Sequence, residues 1–341
     1  MRAMQDDLRH WRNWTGPRSV SSVHFGGGTP SLMTMAQLSD CLGTLDNLWG
    51  IGGAEIAIEA NPDDIQDRAR IDGWAELGLT RVSVGVQSFD DAVLARLGRR
   101  HSGNDAKTAL EHASKAGLAC SADLIFGVAG ESEGRLNRDI DTLLDLAVGH
   151  ISTYQLTIEP GTAFARRKDR GDVLAYDADD SARDYDLIRD RLMAEGYRHY
   201  EVSNFARPGQ ESRHNLAYWR GWDYVGVGPG AHGRLWQAEG RMATETALKP
   251  ADYIAAVSRS GHGMTHQDVL SSEDAAVEYV MMGLRISEGL SISELSRIRG
   301  SITPIDPDLL EAGFLKVDGD KLMATDAGRP VLDALTRQLL L

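Results

Sequence analysis

Cysteine is scarce here, and its scarcity excludes several chemistries. Cys41 and Cys120 are the only two cysteines in 341 residues, too few for a disulfide framework and too far apart for a CxxC motif. No run of about 18 apolar residues occurs, so no segment reads as a membrane-spanning helix. The opening residues, MRAMQDDLRHWRNW, lack the apolar centre of a secretory leader. Together these absences predict a cytoplasmic protein. Positive charge is also in deficit: 36 Lys and Arg stand against 50 Asp and Glu, a formal net charge of −14. That balance argues against nucleic acid, whose phosphates need clustered Lys and Arg, and against an anionic membrane surface. Internal repeats and low-complexity tracts are lacking too.

What remains is ordinary globular material, 42% hydrophobic and 25% charged. Its length suits a large domain plus a smaller one. Short β-branched runs alternate with helical patterns over the first half. Strands are expected at Ser22 to Phe25, Glu55 to Ala60, Arg81 to Val86, Cys120 to Phe126 and Ser152 to Ile158. Helices are expected at Met35 to Leu48, Asp64 to Leu77, Asp90 to Leu97, Asn104 to Ala116 and Glu133 to Leu146. Such alternation predicts an α/β fold, a parallel sheet or barrel with right-handed crossovers. The strands read as almost continuously apolar, which predicts helices on one face and a filled interior on the other. Later text changes style. Ser271 and Asp274 suit a helix cap, with Val277, Val280, Met281 and Leu284 as its apolar face, and a hairpin is expected around Asp318-Gly319 before a helix from Asp326. Helices followed by a hairpin read as a small winged-helix-like domain.

Every expected strand runs out into polar or glycine residues: GGGTPS, EANP, GVQSF, DLIFG and TIEPGT. Ligands of barrels and open α/β sheets sit at the carboxyl ends of strands. The turn Gly26-Gly27-Gly28-Thr29-Pro30 is neither GxGxxG nor a P-loop, yet it offers backbone groups to a small charged ligand such as an amino-acid moiety. Glu59 would suit a ribose diol or an ammonium group, or would simply cap the next helix. Gln87, Arg99 and Asp123 add an amide, a guanidinium and a second carboxylate to the same rim. Jointly they suit a zwitterionic, hydroxyl-bearing ligand. Farther along, SRHNLAYW sets His214 near Asn215, Tyr218 and Trp219, an imidazole beside aromatics that is either a satisfied polar side chain or an axial ligand for a macrocycle.

Taken in order, HFGGGTPSL, IEANP, RVSVGVQSF, LGRRH, DLIFG, STYQLTIEPGT, YEVSNFARPG, SRHNLAYW and YVGVGPGAH resemble the coproporphyrinogen-oxidase-like branch of radical S-adenosylmethionine (SAM) proteins, most closely its HemW-type heme chaperones. The resemblance implies a partial (β/α) barrel core over 1–165, a barrel-completing segment with HNLAYW over 166–260, and a C-terminal helical, winged-helix-like domain over 261–341. It implies that Gly27, Gly28 and Thr29 hold the methionine end of SAM, with Glu59, Gln87, Arg99 and Asp123 at the remaining contacts. His214 is the implied heme ligand, with His24, His101 and His232 as rivals. Membrane-bound respiratory hemoproteins are the implied heme acceptors, and a homodimer stays open. The alternative within the same resemblance is an oxygen-independent coproporphyrinogen III dehydrogenase.

Two departures stand out. The family carries a [4Fe–4S] cluster on a CxxxCxxC motif in its first strand, and no CxxxCxxC occurs in these residues. The chain opens inside what resembles the family's first helix, which predicts a barrel lacking its first strand, in a shortened product rather than a pseudoenzyme. Val128-Ala129 also stands where the family usually has Leu-Pro.

Overall fold

The computed structural model describes residues 1–130, 134–301 and 305–340. The chain divides into two compact units. One comprises residues 23–35 and 55–212, the other residues 1–22, 36–54 and 213–341.

The first unit is built on a curled, half-barrel sheet of seven strands: β1 Ser22–Phe25, β2 Glu55–Ala60, β3 Arg81–Gln87, β4 Ala119–Phe126, β5 His150–Gln155, β6 Arg198–Glu201 and β7 Asn204–Ala206. Their order is β1-β2-β3-β4-β5-β7-β6. Strands β2 to β5 pair in parallel, whereas β7 pairs antiparallel with both β5 and β6. Successive strand residues point to opposite faces. One face carries Ile58, Val82, Val84, Val86, Ala122, Leu124 and Ile151, all buried. Helix Gly103–Lys115 packs against β3 and β4, and helix Ala178–Ala194 against β4 and β6. The other face carries Glu59, Ser83, Gly85 and Asp123, none of them fully buried. The expected filled interior is therefore corrected: alternate small and polar residues break the apolar run and leave that face partly open.

Local chemistry also moved several boundaries. The expected helix from Asp64 to Leu77 is split into a short 3-10 turn, Pro62–Ile65, and an α-helix, Arg68–Glu76. Asp67 restarts the helix by accepting the Ala69 N–H at 3.0 Å, an N-cap. β5 begins at His150 and ends at Gln155, short of Ile158. The helix expected from Glu133 is observed over Arg135–Asp145, and Glu133 itself lies outside the described residues.

The second unit has an antiparallel sheet of β8 His232–Gln237, β9 Gly240–Thr246 and β10 Met264–Val269. Its core gathers Trp11, Leu235 and Met242, with Trp14, Trp49, Val225 and Val227 against them. Helix Arg2–Thr15 packs on helix Pro250–Ser260, where the Tyr253 hydroxyl donates to Asp7 at 2.7 Å. Its C-terminal part combines helices Ser272–Gly283, Ile292–Arg299 and Pro307–Glu311 with three short strands, β11 Leu290–Ser291, β12 Leu315–Asp318 and β13 Lys321–Ala324. Ser271 caps the first of these helices by accepting from Asp274 N at 3.0 Å. Val280 and Leu284 are buried as expected, but Met281 is exposed and Ala275 and Ala276 take its place in the core. The hairpin turns at Gly319, φ +57°, and the last helix starts at Leu332 rather than Asp326.

Candidate functional site

At the carboxyl ends of β2, β3 and β4, with the glycine turn that follows β1, lies a polar cavity of about 180 Å³. Six of the residues singled out from the sequence line it: Gly28, Thr29, Glu59, Gln87, Arg99 and Asp123. Gly27 adjoins them and donates its N–H to Glu59 Oε2 at 3.3 Å. His214 belongs to the other unit and is not among the lining residues.

The glycine turn is shaped by steric need. Gly27 and Gly28 take φ of +76° and +59°, the left-handed region that favours glycine. A Cβ on Gly26 would sit 2.7 Å from His24 Nε2 and 2.8 Å from Glu59 Oε1. Those two groups are themselves 3.0 Å apart, so imidazole, carboxylate and turn form one packed corner. Behind it, Asp64 Oδ2 accepts from Ser31 Oγ at 2.7 Å and from Asn61 Nδ2 at 3.1 Å, tying the two strand-end loops together.

Gln87 is buried with φ +66°, one of two non-glycine residues in that region among those described. Such backbone strain persists only where surrounding structure enforces it. Here the enforcement is visible. Asp139 accepts Ser88 Oγ at 2.8 Å and the Phe89 N–H at 2.9 Å, and is itself paired with Arg135 at 2.9 Å. His101 Nε2 lies 3.1 Å from the Val86 carbonyl oxygen. His101 is thus a buried strut of β3, which accounts for its place in the motif.

Asp123 is the electrostatic focus. Burial pushes its carboxyl up from 3.8 to about 6, the nearby Glu59 charge adds to the rise, and hydrogen bonds from Ser152 and Ser83 and the His24 ring oppose it. Ser83 Oγ is 3.3 Å from both carboxylate oxygens. Desolvation pulls the Arg99 guanidinium down, while the Asp123 and Asp63 charges pull it up. Ser31, Asn61, Ser83 and Gly85 also line the cavity and were not anticipated. The signal for Ser83 and Gly85 was the period-two interruption of RVSVGVQ.

This donor set fits SAM: carboxylates for an ammonium and ribose hydroxyls, a guanidinium for a carboxylate, and a glycine turn that admits close backbone approach. A [4Fe–4S] cluster does not fit the thiols of these residues. Cys41 and Cys120 are both buried, and two thiols are fewer than the three thiolates such a cluster takes from CxxxCxxC. Among the described residues no group of three or more His, Cys, Asp or Glu is placed to hold a metal ion.

On the helix Arg213–Trp219, the His214 and Tyr218 rings lie 5.7 Å apart, and Tyr218 stacks on Tyr224 at 4.4 Å. Not one residue of this helix is fully buried, and Trp222 just beyond it is 47% exposed.

Comparison with known proteins places the chain in a family. Residues 8–143 match the radical SAM superfamily and residues 270–331 the HemN C-terminal domain. The chain is 37% identical over 336 residues to the heme chaperone HemW of Mycobacterium tuberculosis (strain ATCC 25618 / H37Rv), covering 94% of this chain and 81% of that protein. Identity to the heme chaperone HemW of Bacillus subtilis (strain 168) is 30% over 338 residues, covering 96% and 88%. The mitochondrial radical S-adenosyl methionine domain-containing protein 1 of Bos taurus is 36% identical over 342 residues, covering 96% and 77%. Among solved structures, Escherichia coli coproporphyrinogen III oxidase (HemN), a radical SAM enzyme, superposes with a TM-score of 0.81 at 21% identity, covering 99% of this chain and 81% of that one, a likeness of fold. Radical SAM membership implies SAM and a [4Fe–4S] cluster as the superfamily's cofactors. On sequence relatedness across nearly its whole length, the chain belongs to the HemW family of radical SAM proteins.

Proposed function

We propose that this protein is a cytoplasmic heme chaperone that carries heme on helix Arg213–Trp219, with His214 as axial ligand, and passes it to membrane-bound respiratory hemoproteins. The polar cavity of the barrel core, residues 1–165, holds SAM through Gly27, Gly28, Thr29, Glu59, Gln87, Arg99 and Asp123. The segment 166–260 supplies the heme helix.

The observation that carries this reading is the half-buried aromatic helix, on which the His214 ring lies 5.7 Å from that of Tyr218 and none of the seven residues is fully buried. A flat macrocycle on the imidazole would extend over that neighbouring ring. A neutral imidazole is a common axial ligand, and an ordinary histidine is largely neutral at cytoplasmic pH. The rivals have settings of their own. His101 is buried against Val86, and His24 is engaged with Glu59. His232 is exposed, 3.7 Å from Glu245.

The test is a heme titration read by the Soret band on wild type and on His214→Ala, His232→Ala and His24→Ala, with coproporphyrinogen turnover assayed in parallel. One heme per chain, a Soret shift confined to His214→Ala and no turnover support the proposal. Loss in His232→Ala or His24→Ala alone would move the ligand, and turnover would favour the dehydrogenase.

A further inference from the structure

A second cavity opens at the opposite ends of the strands. Thr80, Ala119 and Gly149, at the amino ends of β3, β4 and β5, line a space of about 480 Å³, wholly within the unit that holds residues 55–212. It is larger than the rim cavity of about 180 Å³, falls in the size range of ligand pockets, and shares no lining residue with that cavity. Leu110, Leu118 and Val148 give it aliphatic walls. The helices that end there, Gly103–Lys115 and Arg135–Asp145, satisfy their own last carbonyls: Leu118 N–H donates to Ala113 at 3.1 Å and Val148 N–H to Leu143 at 3.2 Å.

Ala147 stands apart on this wall. It takes φ +51° just past its helix, where neighbouring helices of this unit carry Gly78, Gly98, Gly117 and Gly196. Glycine would make that turn freely. Alanine accepts strain and adds a methyl to the cavity, and such strain concentrates at ligand sites. Gln87, the other non-glycine residue with positive φ among those described, lines the rim cavity.

Charge sets the sign of the ligand. The chain carries 50 Asp and Glu, yet none of those described lines this cavity, and Arg207 is the one charged side chain among the described residues that do. Its guanidinium lies 4.5 Å from the centroid of the Tyr197 ring, whose hydroxyl donates to the Val148 carbonyl of the cavity wall. Nη1 donates to the Glu195 carbonyl at 2.9 Å, which leaves most of the donor fork for a carboxylate. Gln210 adds an amide beside it, close enough to Gly149 that an added Cβ there would sit 3.2 Å from its side-chain oxygen.

We propose that this cavity is a second binding site, for a small aliphatic carboxylate whose chain lies on Leu110, Leu118 and Ala147 and whose head group meets Arg207 and Gln210. It depends on neither the SAM reading nor the heme reading.

The experiment titrates hexanoate, 1-hexanol and hexylamine into the full chain and follows the Ala147 methyl signal by NMR. Wild type should show a saturable shift with hexanoate and bind it about tenfold more tightly than hexanol, the worth of one charge-assisted hydrogen bond, with hexylamine weaker still. Arg207→Gln should bring hexanoate down to the level of hexanol. Ser114→Trp, an exposed helix position that lines the cavity, should remove binding of all three by filling the space. An Ala147 methyl that does not move with hexanoate overturns the proposal, as does hexylamine bound as tightly as hexanoate. Undiminished preference for hexanoate in a folded Arg207→Gln, or binding that persists in a folded Ser114→Trp, overturns it too.

Discussion

Replacing Asp123 by Asn should stabilise the ligand-free protein while weakening its cavity. The carboxyl is raised from 3.8 to about 6, chiefly because folding strips water from it. That is about two units at roughly 1.4 kcal/mol each, so ionising Asp123 in the folded chain costs at most about 3 kcal/mol. The sign follows from proton linkage. Below about pH 4 the carboxyl is protonated folded and unfolded, and the two variants should unfold alike. Between about pH 4 and 6 the unfolded chain ionises first while the folded one keeps its proton, so wild-type stability falls as pH rises. Above about pH 6 both states are ionised and the loss is complete. Asn keeps an acceptor for Ser83 and Ser152 but carries no charge, so a gain of about 1–3 kcal/mol is expected at pH 7.5. Urea denaturation of both proteins at pH 4, 5, 6 and 7.5 measures it. SAM affinity by calorimetry should move the other way, falling about tenfold or more with the lost carboxylate. A variant less stable than wild type at pH 7.5, or a gap that does not vary with pH, would refute this electrostatic account.

Other outcomes follow from the same geometry. Gly26→Ala places a methyl 2.7 Å from His24 Nε2, so it should cost about 1–3 kcal/mol in denaturation and weaken SAM binding in calorimetry. Asp139→Ala removes the paired carboxylate of the fully buried Arg135 side chain, leaving it the Ile125 carbonyl, and frees the Ser88-Phe89 corner; a loss of about 3 kcal/mol is expected in a urea melt. His101→Ala should lower stability by about 1–3 kcal/mol, because it removes a buried strut of β3, yet leave the heme Soret band where it is.

Much of the barrel was legible because its signals are local. β1 and β2 fall where β-branched runs meet glycine or Asn-Pro, and their observed bounds match the expected ones. The rim residues were legible for a related reason. Parallel strands bring their carboxyl ends to one side, so Glu59, Gln87 and Asp123 converge on any parallel topology. What was missed is tertiary. The strain at Gln87 is imposed by Asp139 and Arg135, residues some fifty positions away, and nothing in GVQSF announces it. Met281 fits the helical period of its neighbours, but the small side chains of Ala275 and Ala276 turn the helix to present another face. His101 carries no mark in the sequence that separates a strut from a ligand. Burial makes that distinction.

The most direct test of the central claim is heme transfer. The heme-loaded chain is mixed with an apo form of a respiratory cytochrome and the Soret band is followed as the two are separated. The account predicts one heme per chain at the start, passage of that heme to the cytochrome, and loss of both loading and transfer in His214→Ala. Heme that binds stoichiometrically but never leaves, or wild-type loading and transfer in His214→Ala, would contradict it.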